Sequence, residues 1–338
     1  MTKANRFSTI SDVAKLAGSG KTSVSRYLNG EKNKLSIALQ EQIARAIDEL
    51  NYQPSQSARM LKAGRSNLIG LVLADITNSY SIEVMKGIEA VCRENNLMLL
   101  VCNTDNDPHL NTKSLELLKS HRVDGIIVNT VGMSKDELNS LQSIDTPIVL
   151  VDRSAPSLDL DCVGVNNESA TQLVGQHLYD LQYKSVLVVT ADLVISPRKA
   201  RVDALKEFAE QHDSLTVKVC EWKHEDADYL VKALQEFYSE CKTTKAAIFC
   251  TNSVVTLNVV KILQKMGVVI GDEVGLVAFD DPSWCELIGP GITAVRQPTY
   301  MIGQSACNTL IGRINNPNLS SKDIQLPATL ITRRSTSQ

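Results

Sequence analysis

At 338 residues the chain is long enough for more than one domain and a large buried core. Hydrophobic residues at 43% and charged residues at 22% suit a soluble globular protein, and no apolar run reaches the roughly 18 residues that a membrane span needs. The net charge of −3 is uneven: residues 1–65 carry eleven Lys and Arg against five Asp and Glu, a net of +6, which leaves −9 on the remainder. That basic head is either a polyanion-binding end or a solvated arm, and composition does not choose between them. The polar residues 1–6 contain no apolar signal core, which points to the cytoplasm. The eight Cys form no C-x-x-C pair and read as reduced, buried small hydrophobes, not as a disulfide frame or a zinc site.

The first fifty residues read as three short helices. Thr9, with Asp12 three positions on, resembles a capping box, and Ile10, Val13, Ala14 and Ala17 repeat at helical spacing until Gly18. A second helix is predicted over about Lys21–Leu28, closed by the turn pair Asn29-Gly30. Ser36 can cap a third, with Leu39, Ile43, Ile47 and Leu50 on one face and Pro54 as its breaker. Two helices joined through Gly18-Ser19-Gly20, with a third closing the core, make a helix-turn-helix. Gly18 to Thr22 also invites a phosphate-binding loop. That loop needs a Gly where this chain has Lys15, and a strand where residues 10–17 are helical. Residues 53–65 hold a helical half-pattern, Ala58 and Leu61, between Pro54 and Gly64; they are either a plain linker or a helix that folds only against a partner.

From Ser66 short apolar runs alternate with amphipathic segments. The runs are Leu68–Leu73, Leu97–Val101, Gly125–Val128, Ile148–Val151, Val186–Val189, Ala246–Phe249 and Val274–Phe279, with helical patterns such as Ile82–Arg93, Ala200–Glu210 and Val255–Lys265 between them. Continuous apolar strands separated by helices predict a parallel sheet covered on both faces. About nine strands exceed one comfortable sheet, so two doubly wound lobes are expected, with a ligand cleft at the strands' carboxyl ends.

Several stretches carry a resemblance to a known family. Thr9 to Ala14, Thr22 to Asn29, Leu50 to Pro54, Leu68-Ile-Gly70, Val123 to Ile127, Phe279 to Asp281, Gly291 to Thr293 and Gln297-Pro298 resemble the lac repressor/galactose repressor family along essentially the whole chain. Phe279–Trp284 and Leu287–Thr293 are similar to its sugar-acid branch, which includes the 2-keto-3-deoxygluconate and 2-ketogluconate repressors. The resemblance implies an α/β fold: a three-helix DNA-binding head (1–52), a hinge (53–65), and a two-lobed, periplasmic-binding-protein-like domain for effector binding and dimerisation (66–338). It implies a pseudo-palindromic operator, a small sugar-acid effector and a homodimer as partners, with no cofactor, metal or catalytic residue. The chain ends soon after Arg333-Arg334 without a heptad helix, which favours a dimer over a tetramer.

Carried over residue by residue, Lys21, Thr22 and Arg26 are implied to read bases. Thr9 and Asn29 are expected at the DNA, and Ala58 and Leu61 in the minor groove. Tyr80, Asn129, Asp152, Arg201, Asn252, Asp280 and Gln297 are implied to line the effector cleft, with Ser196, Arg198 and Trp284 nearby. Carboxylates and amides there suit hydroxyls, and an Arg201 left unpaired suits a carboxylate. The chain departs from the family at Ser19-Gly20, where a Val-Ser pair is usual, and at Ser253, where many relatives have Asp. The first departure removes a helix cap, which Ser19 is positioned to replace; the second removes one hydroxyl contact. A neutral sugar or a nucleoside or purine effector stays open as an alternative. So, as a different class, does a sugar-binding protein or an enzyme, although no G-x-S-x-G or G-x-G-x-x-G motif is present.

Overall fold

The structure, a computed structural model, describes residues 8–53, 65–131, 133–153, 158–223 and 227–336. The expected hinge residues Ala58 and Leu61 lie outside the described residues. The chain divides into two compact units, residues 1–66 and 67–338.

In the first unit, Thr9 caps α1 (Ile10–Leu16) through a reciprocal box: its hydroxyl accepts from the Asp12 N–H, and the Asp12 carboxylate accepts from the Thr9 N–H at 2.8 Å. Gly18, at φ +59°, turns the chain into α2 (Lys21–Leu28). The Ser36 hydroxyl caps α3 (Ile37–Glu49) at the Leu39 N–H. α3 stops earlier than a proline breaker requires: Asn51 takes φ +41° and the Tyr52 N–H donates back to the Ile47 carbonyl at 2.9 Å, closing the helix before residue 54. Val13, Ala14, Ala17, Val24, Ile43, Ala46 and Tyr52 form the core, with Ile10, Leu28, Leu39, Ile47 and Leu50 packed against it.

The second unit holds two six-stranded sheets among its described residues. The first lobe runs β1 (Leu68–Leu73), α4 (Ser79–Glu94), β2 (Met98–Asn103), α5 (Pro108–Ser120), β3 (Gly125–Asn129), α6 (Lys135–Leu141), β4 (Ile148–Val151) and β5 (Asp161–Val165). The second runs α7 (Asn167–Asp180), β6 (Ser185–Thr190), α8 (Ser196–Glu210), β7 (Thr216–Glu221), α9 (Ala227–Glu240), β8 (Ala246–Cys250), α10 (Ser253–Met266), β9 (Gly275–Phe279) and β10 (Thr293–Arg296). The chain then returns through α11 (Thr299–Asn315) and β11 (Asp323–Leu326) to the first sheet, and ends with β12 (Thr329–Ile331) in the second. The strand orders are β11-β5-β4-β3-β1-β2 and β12-β10-β9-β8-β6-β7, so the two sheets repeat one winding. Three segments therefore cross between the lobes, after β5, β10 and β11.

Two expectations need correction. The described residues form twelve strands, not about nine, and β12 pairs antiparallel with β10. The unforeseen strands include the sheet edges β7, β11 and β12; β7 and β11 alternate exposed and half-buried residues and so lack the continuous apolar run of a central strand. A shared core (Ile69, Val84, Ile88, Val149, Val188, Val277, Ile302) joins both lobes. α11 lies tight on α4: a Cβ at Gly87 would stand 2.1 Å from the Tyr300 carbonyl oxygen, and one at Gly303 2.0 Å from that of Val84. Glycine at both places lets the returning helix reach the first sheet. All eight Cys are free thiols, six of them buried, and burial pushes Cys162 up to about 12. No helix among the described residues is long and apolar enough to cross a membrane.

Candidate effector cleft and nucleic-acid interface

α2 presents an exposed polar face opposite the buried Val24. Lys21, Thr22, Arg26 and Asn29 are all exposed, and the side chains of Lys21, Thr22 and Arg26 make no hydrogen bond among the described residues. Positions 22 and 26 are one turn apart, so they share a face. Gly20 sits at the N-cap without a side-chain hydrogen bond, so the Lys21 and Thr22 N–H groups at the positive end of the helix have no side-chain cap, while the Ser23 N–H donates to the Gly20 carbonyl. Ser19 does not replace the cap: its hydroxyl is buried and has no partner. Thr9 is tied to Asp12 (2.7 Å between its hydroxyl and the carboxylate), and the Asn29 amide donates to the Ser25 carbonyl. Gly18 to Gly20 form the turn between α1 and α2, and Lys21 and Thr22 open α2; the element ahead of them is a helix, not a strand.

The second unit opens a cavity of about 200 Å³ where the carboxyl ends of its strands meet. Of the expected residues, Tyr80, Asn129, Asp152, Arg198, Arg201, Asn252, Asp280 and Gln297 line it together. Ser196 lines an adjoining cavity that shares Asp152, and Trp284 lines a neighbouring groove that shares Asp280 and Gln297; neither reaches the central one. Asp75, Asn78, Ser81 and Asn106 also line it and were not anticipated. Their signal was positional: Asp75 and Asn106 follow β1 and β2, and Asn78 caps α4 at the Tyr80 N–H.

The two aspartates occupy matching places. Asp152 follows β4 and Asp280 follows β9, the fourth strand of each winding, and both adopt left-handed backbone, at φ +76° and +81°. Non-glycine residues rarely hold that conformation without cost, which fits side chains aimed at a site. Asp280 is fastened: Gln297 Nε2 donates to it at 2.6 Å and the Ser253 N–H at 3.1 Å. The neighbouring Asp281 serves structure, taking both Arg296 and Arg333. Burial raises the pKa of both cleft carboxyls, opposed first by the Arg201 guanidinium. Burial likewise raises Tyr80, reinforced by Asp152 and Asp280. The Tyr80 hydroxyl and Gln297 Oε1 are buried without a hydrogen-bond partner.

Arg201 differs from expectation. It is buried but not unpaired: Nε donates to Asn167 Oδ1 at 2.8 Å and Nη1 to the Thr251 carbonyl at 2.6 Å, with Cζ 3.5 Å from the Phe279 ring centroid. Asn252 caps α10 at the Val255 N–H (2.9 Å), and Asn129 Oδ1 accepts from the Val131 N–H at 3.0 Å. No cluster of metal-ligating side chains occurs among the described residues.

A helix-turn-helix head and a two-lobed body with a polar cleft, in one chain, define a transcription regulator that answers to a small molecule. Residues 9–55 match the bacterial regulatory proteins of the LacI family, and residues 66–334 the periplasmic binding proteins and sugar binding domain of that family. The chain belongs to the LacI family of DNA-binding regulators. It is 37% identical to the HTH-type transcriptional regulator KdgR of Bacillus subtilis over 335 residues, covering 98% of this chain and 99% of that one. It is 40% identical to the HTH-type transcriptional regulator PtxS of Pseudomonas aeruginosa over 329 residues, covering 97% and 95%. The lac repressor dimer bound to operator and the anti-inducer ONPF shares the fold, with a TM-score of 0.81 at 19% identity over 98% of this chain and 99% of that one. These relatives are regulators, not enzymes.

Proposed function

We propose that the protein is a cytoplasmic, homodimeric repressor of sugar-acid catabolism genes, released from its operator by a six-carbon sugar acid of the keto-gluconate type. One observation carries the ligand reading: two guanidiniums, Arg198 and Arg201, stand in one cavity with three carboxylates and five amides. Amides and carboxylates exchange hydrogen bonds with hydroxyls, and a guanidinium adds affinity for a carboxylate. The unpartnered Tyr80 hydroxyl and Gln297 Oε1 belong to the same wall, and the sugar-acid branch resemblance of Phe279–Trp284 and Leu287–Thr293 points the same way.

In this reading residues 1–52 bind DNA, 53–65 form the hinge and 66–338 bind effector and dimerise. Two copies of α2 enter successive major grooves of a pseudo-palindrome, where Arg26 and Lys21 reach base edges or phosphates, while Ala58 and Leu61 act in the minor groove between them. The effector binds both lobes, and its preference for one lobe arrangement is the free energy that opposes DNA binding. Calorimetry with 2-keto-3-deoxygluconate, 2-ketogluconate, gluconate and neutral hexoses tests the ligand class. Tight binding of a neutral hexose with no response to the acids overturns it and leaves the DNA-binding role intact.

A further inference from the structure

A guanidinium grips a carboxylate through two parallel N–H groups along one edge. In Arg201 each such edge contains a committed nitrogen, Nε to Asn167 and Nη1 to Thr251, and one ring face is covered by Phe279. All three partners belong to the second lobe: Asn167 opens α7, Thr251 follows β8 and Phe279 ends β9. Arg201 is therefore a brace of that lobe's wall, with two of its five N–H groups committed and each carboxylate-gripping edge sharing a nitrogen that already donates.

Arg198 is different. It lies three residues earlier on α8, hence on the same face, and lines the same cavity. It is half-buried, yet its side chain makes no hydrogen bond and no ion pair among the described residues. Burial and the neighbouring Arg201 charge depress its pKa, more than Asp152 and Asp192 raise it, and an added anion relieves that net penalty. The Asp152 carboxylate, in the first lobe, also has no hydrogen-bond partner among the described residues. A cation and an acceptor from different lobes, which attract each other through space but share no hydrogen bond, line one cavity.

We infer that Arg198, not Arg201, holds the carboxylate of the effector and sets the preference for an acid over a neutral sugar. This rests on the sugar-acid reading above and names the residue that makes the choice. With the carboxylate on Arg198, the ligand's hydroxyls meet Asp152, Asn129 and Asn252, so the acid spans the two lobes.

The test is calorimetry of the full chain with 2-ketogluconate and with D-fructose, which carries a hydroxymethyl group where the acid has its carboxylate. The wild type is expected to bind the acid about 10- to 100-fold more tightly than fructose, the range of a charge-assisted pair. Arg198→Gln removes that preference while fructose affinity stays within about threefold, and Arg198→Lys restores part of it, because a point charge replaces a fork. Arg201→Lys weakens both ligands together. An Arg198→Gln protein that keeps the acid preference overturns the inference but spares the sugar-acid reading. A wild type with no preference for the acid overturns both.

Discussion

The exposed face of α2 and the wall of the cleft hold their polar side chains in opposite ways. Lys21, Thr22 and Arg26 stand in solvent with no partner among the described residues, while Arg201, Asp280 and Gln297 are buried and hydrogen-bonded, Gln297 directly to Asp280 and Arg201 to the Thr251 carbonyl. The first arrangement leaves flexible cations to meet a polyanion whose counterions supply much of the affinity. The second fixes dipoles and charges in a low-dielectric wall before the ligand arrives, so binding costs little reorganisation. The two sites should therefore fail under different perturbations.

The largest divergence is expected with salt. Operator affinity should fall about a thousandfold between roughly 50 and 200 mM monovalent salt, given several phosphate contacts per dimer, while effector affinity shifts by less than about threefold. Parallel anisotropy and calorimetry series read both; an effector affinity that falls as steeply would mean that the cleft cations act through solvent. Next in size is Arg201→Leu. It strips the Thr251 carbonyl and Asn167 of their donor and two buried carboxyls of their nearest cation, so unfolding free energy should drop by about 3 kcal/mol. Chemical denaturation would show it, and a loss under about 1 kcal/mol would remove Arg201 from its bracing role.

Arg26→Ala marks the opposite case. Stability should stay within about 0.5 kcal/mol, while discrimination at one base pair of each half-site weakens by about 1–3 kcal/mol. Equal losses across all operator variants would reduce Arg26 to a phosphate contact. The smallest effect is at Asp152. Burial raises its folded pKa, so the ionised form is penalised above that pKa and the penalty disappears as pH falls and the carboxyl protonates. Asp152→Asn should therefore raise the melting temperature at about pH 7 by more than below about pH 4, where the carboxyl is protonated folded and unfolded, while weakening effector binding. A gain that is larger at the acid end has the wrong sign.

The same contrast governs how much could be read in advance. The head's signals are local: Thr9 with Asp12, Gly18, Asn29-Gly30 and Ser36 each act within four residues, and the structure starts helices at Thr9 and Ser36 and ends them at Gly18 and Asn29. The cleft is built from residues more than two hundred positions apart, so spacing alone could not gather Tyr80 with Gln297; only the family resemblance did. What neither supplied was partnership. That Arg201 donates to a main-chain carbonyl fifty residues away, and that Arg198 does not, depends on how α8 docks beside β8 and β9. Edge strands were missed for a related reason: β7 and β11 are stabilised by pairing with β6 and β5, not by an apolar run of their own.

The most direct test of the central claim, that an acid in the cleft lowers the affinity of the head for DNA, is one titration. Operator fragment binding by the full chain is followed by fluorescence anisotropy at fixed salt, with saturating 2-ketogluconate, with D-fructose at the same concentration, and with neither. The acid should weaken operator binding by about tenfold or more, a coupling within the usual allosteric range, and fructose should leave it nearly unchanged. Operator affinity that stays the same while calorimetry shows the acid bound would contradict the coupling outright.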